Sequence, residues 1–210
     1  MGNLASVSPL ISASAPEALD TAEAALLSGQ PIVVPTDTVY GLAVAALVPG
    51  ATKQIFSLKA RSETKPLAVL VADRMQAGSL AAAISATAET WMTTYWPGAL
   101  TLVLRRSAET CGLELGGDPD TIGVRCPDHT LLRSLAARVG PLATTSANRH
   151  GEPTPPTAMQ AAASLGPGVA LVLDGGPTGD LASTVVDATV EPWRVLRHGA
   201  VTEEQLRSVI

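Results

Sequence analysis

Pro31-Ile32-Val33-Val34-Pro35-Thr36-Asp37-Thr38-Val39-Tyr40-Gly41-Leu42 is the stretch on which the fold reading turns. Pro31 to Val34 is apolar, β-branched and too short for a helix, so it reads as a buried strand. Upstream, Ser14 with Glu17 reads as a capping box opening a helix that stops at Gly29. Downstream, Val44 to Val48 reads as a second strand. Pro49 to Ala60 follows as a helix burying Ile55, Phe56 and Leu58, and Leu67 to Ala72 as a further strand. The alternation continues. Helices are expected over Asp73–Ile84 and Ser85–Tyr95, ended by Pro97-Gly98, and strands over Leu100–Arg105 and Thr121–Arg125, joined by a Gly- and acid-rich loop, Thr110–Asp120. Asp128 should cap an amphipathic helix with Leu131, Leu132, Leu135 and Val139 on one side. Further strands are expected at Pro141–Thr145, Val169–Leu173, Ser183–Ala188 and Arg194–Arg197, with capping boxes at Thr157/Gln160 and Thr202/Gln205. Such alternation argues for an α/β fold. Residues 1–12 read as a loose N-terminal extension and residues 13–210 as one domain.

Composition narrows the class. The 210 residues are 46% hydrophobic and 16% charged, which excludes a disordered chain. A domain of this size buries about 70% of its unfolded surface, enough for a core without staples. Cys111 and Cys126 match no metal or redox spacing and fit a reducing compartment. The net charge of −5 argues against a wholesale nucleic-acid coat. No Lys or Arg precedes Lys53, so a signal-peptide n-region is not expected, and the longest uncharged stretch, Pro153–Leu173, carries Pro and Gly and cannot be a membrane helix. A soluble cytoplasmic protein is expected.

Familiar catalytic signatures are missing. The chain has no Gly-Lys dipeptide, no G-x-G-x-x-G, no H-E-x-x-H and no G-x-S-x-G, and His129, His150 and His198 share no metal-ligand spacing. All the lysines, Lys53, Lys59 and Lys65, fall in one short window with Arg61. Their spacing cannot share one helical face, so the helix should end near Lys59 and the later cations should stand on a turn, where they can converge on a polyphosphate. The competing reading is a solvated cationic helix end favoured by the macrodipole. Polar groups also gather at strand ends: Thr36, Asp37 and Thr38; Thr144, Thr145, Ser146 and Asn148; Ser183 and Thr184; Arg125; and Arg197. Each alone reads as turn capping; together they suggest a binding surface at the ends of one sheet. Trp96-Pro97-Gly98-Ala99-Leu100-Thr101 reads as architectural.

Taken in order, Pro35–Leu42, Lys59-x-Arg61 with Lys65-Pro66-Leu67, Trp96–Thr101, Val124-Arg125-x-Pro127, Ser146-Ala147-Asn148, Ser183–Asp187 and Leu196-Arg197-x-Gly199 resemble the threonylcarbamoyl-AMP synthase family, also called the YrdC-like domain. The resemblance spans about Ala18 to Ala200. It implies a single-domain twisted mixed sheet with flanking helices and a concave ligand-binding surface. It also implies a nucleotidyltransferase that combines L-threonine, bicarbonate and ATP, with Mg2+ on the ATP phosphates, into threonylcarbamoyl-AMP and pyrophosphate. A separate complex would pass the product to tRNA, and direct tRNA contact is left open. Carried over by motif, Lys59, Arg61, Ser146 and Asn148 are the implied catalytic residues. The same four, with Lys65, Thr121, Thr154 and Arg197, are the implied ATP contacts. Thr36, Arg125, Thr144 and Ser183 are the implied threonine contacts. Alignment and charge neutralisation carry such chemistry without a protein nucleophile. The chain departs from the family pattern at His150, where Ser is common, and at His198, where Pro is common, and a short form without the C-terminal domain of longer members is expected. A double-stranded RNA or tRNA-binding module without turnover and a carbamoyl-handling enzyme are the alternatives.

Overall fold

The structure, a computed structural model, describes residues 8–149 and 151–210; the departure at His150 and most of the N-terminal extension lie outside them. In chain order the elements are β1 (Leu10–Ser12), α1 (Ala18–Leu27), β2 (Ile32–Val34), β3 (Gly41–Ala45), α2 (Ala51–Lys59), β4 (Ala68–Leu70), α3 (Arg74–Leu80), α4 (Ala86–Tyr95), β5 (Leu100–Arg105), β6 (Thr121–Arg125), α5 (Thr130–Val139), β7 (Leu142–Ser146), α6 (Ala158–Leu165), β8 (Leu171–Asp174), β9 (Thr184–Asp187), β10 (Arg194–Arg197) and α7 (Glu203–Arg207). The strands form one mixed sheet in the order β1-β8-β2-β3-β7-β4-β6-β5-β9-β10. β8 runs parallel to both β1 and β2, β4 to β6, and β5 to β9; the other neighbours are antiparallel. No helix among the described residues is long and apolar enough to cross a membrane.

The period-2 alternation of strand side chains divides the core between two faces. Ile32, Val34, Ala43, Ala45, Leu70 and Leu142 pack with α1 and α5 (Ala22, Leu26, Leu132, Leu135). Val33, Leu42, Val44, Val69, Leu102 and Val124 pack on the other face with α2, α4 and α6 (Ile55, Trp91, Ala161). The ladder rows carry the first face onward. Leu142 pairs with Leu70, which pairs with Arg125; Thr144 pairs with Ala68, which pairs with Gly123 and through it Val103. Past Leu70 and Leu142 these side chains are small or polar, Val103 apart, and Ala68, Val103, Gly123, Arg125 and Thr144 line the hollow described below.

Most strand bounds agree with the pattern reading, and the following segments differ for local reasons. Leu10–Ser12 is not loose, because it pairs with Val172–Asp174 as the sheet edge. Ser14 does not cap α1; its hydroxyl bonds Ser12, and the helix starts from Glu17 without a side-chain cap. Asp128 does not cap α5 either. Its carboxylate is taken by Arg133, and His129 occupies the cap position. β3 begins at Gly41 rather than Val44 because Val34 pairs with Gly41, making Pro35–Tyr40 the loop of a hairpin. Gly199 in the Leu196–Gly199 motif has a packing reason: a Cβ there would sit 2.3 Å from the Ala182 carbonyl oxygen, so only glycine lets the chain pass β9.

Tyr40 ties that hairpin to the far end of β8. Its ring is fully buried, and its hydroxyl donates to Gly176 O at 2.6 Å and accepts from Gly175 N at 3.1 Å. Tyr40→Phe orphans both groups and should lower unfolding stability by about 1–2 kcal/mol, read by urea denaturation. An unchanged midpoint would show that the turn is held without the hydroxyl.

Candidate active site

α2 ends on Ala60, which adopts the left-handed conformation at φ 47°. Arg61 N donates back to Phe56 O at 3.0 Å, closing a Schellman turn. A non-glycine residue there costs of order 1 kcal/mol, and the sharp turn sends the two flanking cations apart. Lys59 points inward and is 2% exposed. Its ammonium donates to the Ser146 carbonyl and, at 3.3 Å, to Asn148 Oδ1. Both partners are neutral. Burial, and secondarily Arg61, lower its pKa to about 8. Arg61 instead lies along the outer turn, donating to Lys65 O at 3.2 Å, Pro66 O at 2.9 Å and Thr145 Oγ1 at 3.4 Å.

The hairpin loop carries a second polar cluster. Thr36 Oγ1 accepts from Thr38 N and Val39 N and donates to Val39 O. Thr38 Oγ1 lies 2.9 Å from Thr36 Oγ1 and accepts from Arg125 Nη1 at 2.9 Å. Arg125 also donates to Gly98 O at 3.0 Å and to Asp37 Oδ1 at 2.6 Å; the two ionic side chains are 7% and 14% exposed. These three acceptors leave guanidinium N–H groups unused. Just before β9, Ser183 Oγ lies 2.9 Å from Thr101 Oγ1 and accepts from Arg197 Nη2 at 2.9 Å. Burial, with Arg125 adding repulsion, lowers the Arg197 pKa.

Most of these groups share one hollow of about 460 Å³. Thr36, Arg61, Lys65, Thr121, Arg125, Thr144, Ser146, Thr154, Ser183 and Arg197 all line it. Lys59 and Asn148 do not. They lie behind the Ser146 wall, with Asn148 Nδ2 donating to Arg149 O and Glu152 O at the root of the Pro-rich loop. Reading motifs by residue type also passed over lining residues. Thr101, read from the sequence as architectural, lines the hollow, while Trp96, whose indole donates to Leu100 O at 2.7 Å, and buried Leu100 keep that role. Arg106, directly after β5, also lines the hollow and carries no motif that marks it.

Charge is the defining property. Among the described residues the lining holds Arg61, Lys65, Arg106, Arg125 and Arg197 and no Asp or Glu. A cleft lined by charge of one sign between low-dielectric walls focuses an anion-attracting field even though the whole chain is acidic. Its floor of Ala68, Gly123 and Thr144 leaves depth for a ligand. The size suits a small molecule rather than a duplex. No group of His, Cys, Asp and Glu able to hold a metal occurs among the described residues.

The sequence profile described as "Telomere recombination", covering Sua5, YciO and YrdC proteins, matches residues 24–199. Threonylcarbamoyl-AMP synthase of Bacillus subtilis is 37% identical over 191 residues, covering 90% of this chain and 55% of that protein. Threonylcarbamoyl-AMP synthase of Homo sapiens is 38% identical over 206 residues, covering 89% and 69%. The crystal structure of Pyrococcus abyssi Sua5 complexed with L-threonine superposes with a TM-score of 0.87 at 33% identity, covering 98% of this chain and 61% of that one. The chain thus spans about half the length of the Bacillus relative. With one profile running across both flanks of the hollow, and relatives that match nearly the whole chain, the protein belongs to the Sua5/YciO/YrdC family.

Proposed function

We propose that the chain is an L-threonylcarbamoyladenylate synthase, a nucleotidyltransferase acting on L-threonine, bicarbonate and ATP. The observation that carries this reading is the acid-free hollow, with phosphate-matching cations on one flank and a hydroxyl-rich, Arg-bearing flank opposite. Arg61 and Lys65 would hold the polyphosphate at its outer side. Lys59, resting on neutral oxygens only, gains by exchanging one of them for a phosphate oxygen. Ser146 and Asn148 would order that wall, with Thr121, Thr154 and Arg197 completing the nucleotide contacts. Arg125 would take the threonine carboxylate, and Thr36, Thr144 and Ser183 would position the amino acid. The support for this division is placement: Thr36 and Arg125 share one hydrogen-bonded cluster through Thr38, while Arg61 and Lys65 share another.

The chemistry balances without a protein nucleophile. The threonine amine attacks carbon dioxide released from bicarbonate and loses a proton, giving a carbamate. A carbamate oxygen attacks the α-phosphorus, the bond to the bridging oxygen breaks, and pyrophosphate departs. Holding the two reactants in line and neutralising the leaving charge supply the catalysis. The donor set offers no carboxylate cage for Mg2+, so the ion would enter on the ATP phosphates as part of the substrate. The product, a mixed anhydride, would be consumed by a tRNA-modifying transfer complex.

The test is pyrophosphate release with ATP, Mg2+, bicarbonate and L-threonine. The reading expects strict dependence on both threonine and bicarbonate; release indifferent to either overturns it.

A pH dependence follows from Lys59. Its folded pKa, about 8, lies below the unfolded value near 10.5, so the unfolded chain binds the extra proton between these limits. Stability from this group therefore rises as pH climbs from about 8 to about 10.5, and the burial penalty is fully present below 8. ATP favours the charged form, so its affinity should fall about tenfold per pH unit above 8, with proton uptake on binding near pH 8. Titration calorimetry in two buffers of different ionisation enthalpy reads both. A flat profile from pH 7 to 9.5 would remove Lys59 from the phosphate contact.

A further inference from the structure

Arg106 follows β5 and is 8% exposed. Its Nη1 donates to Leu113 O at 3.0 Å and its Nη2 to Thr121 O at 3.2 Å, while its main-chain N donates to Asp120 O at 2.9 Å. The one side chain therefore grips both ends of the segment 113–121. Asp118 and Asp120 are near enough to attract it but form no salt bridge with it, and Nε is buried without an acceptor. The middle of that segment leans on the loop that carries the phosphate-facing cations. Leu67 N donates to Leu115 O at 2.8 Å, and Gly117 N donates to Glu63 O at 2.7 Å. A Cβ at Gly117 would lie 2.9 Å from the Pro66 ring, so the two segments touch without slack. Arg61, in turn, hangs on Lys65 O and Pro66 O. A continuous run of hydrogen bonds and backbone contacts thus leads from Arg106 to Arg61.

Resting on the synthase reading, we propose that Arg106 is a positioning residue for the nucleotide side of the hollow: it clasps the 113–121 segment so that this segment braces the Arg61–Pro66 turn. The segment has no sheet partner along its middle and is rich in glycine, so holding it in one shape costs about 1–2 kcal/mol per residue in backbone entropy. A guanidinium suits the task because its planar fork reaches two carbonyls at once, which a lysine ammonium on a single stem does not. The clasp touches the Arg61 flank and not the Thr36–Arg125 cluster, so its loss has a direction: ATP binding weakens and threonine binding does not.

The experiment compares unaltered protein with Arg106→Met and Arg106→Lys, titrating ATP and L-threonine separately and measuring KM for each. Both variants are expected to raise the ATP Kd and KM about tenfold or more, with the threonine constants within about twofold. Wild-type ATP affinity in Arg106→Met overturns the proposal. So does full rescue by Arg106→Lys, which would mean that charge rather than the two-carbonyl grip matters, and so does equal loss of both ligands. Gly117→Ala keeps Arg106 and pushes the segment off Pro66. It should give the same ATP-selective loss even where an Arg106 variant folds poorly, and unchanged ATP affinity there overturns the proposed route. Failure of the unaltered protein to bind ATP would instead bring down the synthase reading, and this inference with it, before any variant is compared.

Discussion

Lys59→Met should lower kcat/KM by about 100-fold or more while the protein stays folded. The magnitude is that of removing one charged donor from a site where negative charge develops in the transition state. The fold survives because two effects oppose. The lowered pKa of about 8 means that the charged form costs about 3 kcal/mol in place, and methionine relieves that cost at similar length. Against this, the Ser146 carbonyl and Asn148 Oδ1 lose their donor, at about 1–3 kcal/mol each. The melting temperature should therefore move by only a few degrees. The pH step in ATP affinity should vanish with the lysine. Near-normal turnover in this variant would mean that the ammonium stays behind the Ser146 wall throughout the reaction.

Arg125→Met should behave differently, losing threonine affinity and stability together. Arg125 and Asp37 form a pair that is almost fully withdrawn from water, and Gly98 O and Thr38 Oγ1 depend on the same guanidinium. Removing one member of such a pair leaves an uncompensated charge and costs about 3–5 kcal/mol, a fall on the order of 10 °C in Tm. Where the variant is assayed below its transition, KM for threonine should rise about 100-fold through loss of a charge-assisted carboxylate contact. Asp37→Asn separates the two consequences, because it keeps Arg125 and should cost stability while leaving most of the threonine affinity. A folded Arg125→Met protein with normal KM for threonine would place the amino acid elsewhere.

The contrast between these residues shows what a sequence can carry. β5, β6 and β10 were legible to the residue because each apolar run is closed by turn or charged residues. The strand-end hydroxyls at Thr36, Ser146 and Ser183 were legible too, since α/β sheets place ligands where their strands stop. β1 was not, because three residues without alternation gain strand character only by pairing with β8, some 160 positions away. The caps at Ser14 and Asp128 failed because other partners, Ser12 and Arg133, claim those side chains. The inward turn of Lys59 was also hidden. It depends on left-handed Ala60 and on a carbonyl 87 positions distant, neither of which residue type or spacing encodes. Arg106 has no motif at all, since its partners are backbone carbonyls and any sequence supplies those.

A crystal structure of the protein with L-threonine and a non-hydrolysable ATP analogue tests the central claim most directly. The account predicts both ligands in the one hollow, the phosphates against Arg61 and the Lys59 ammonium, and the threonine carboxylate on Arg125. Nucleotide bound outside that hollow, or threonine bound away from Arg125, would contradict it.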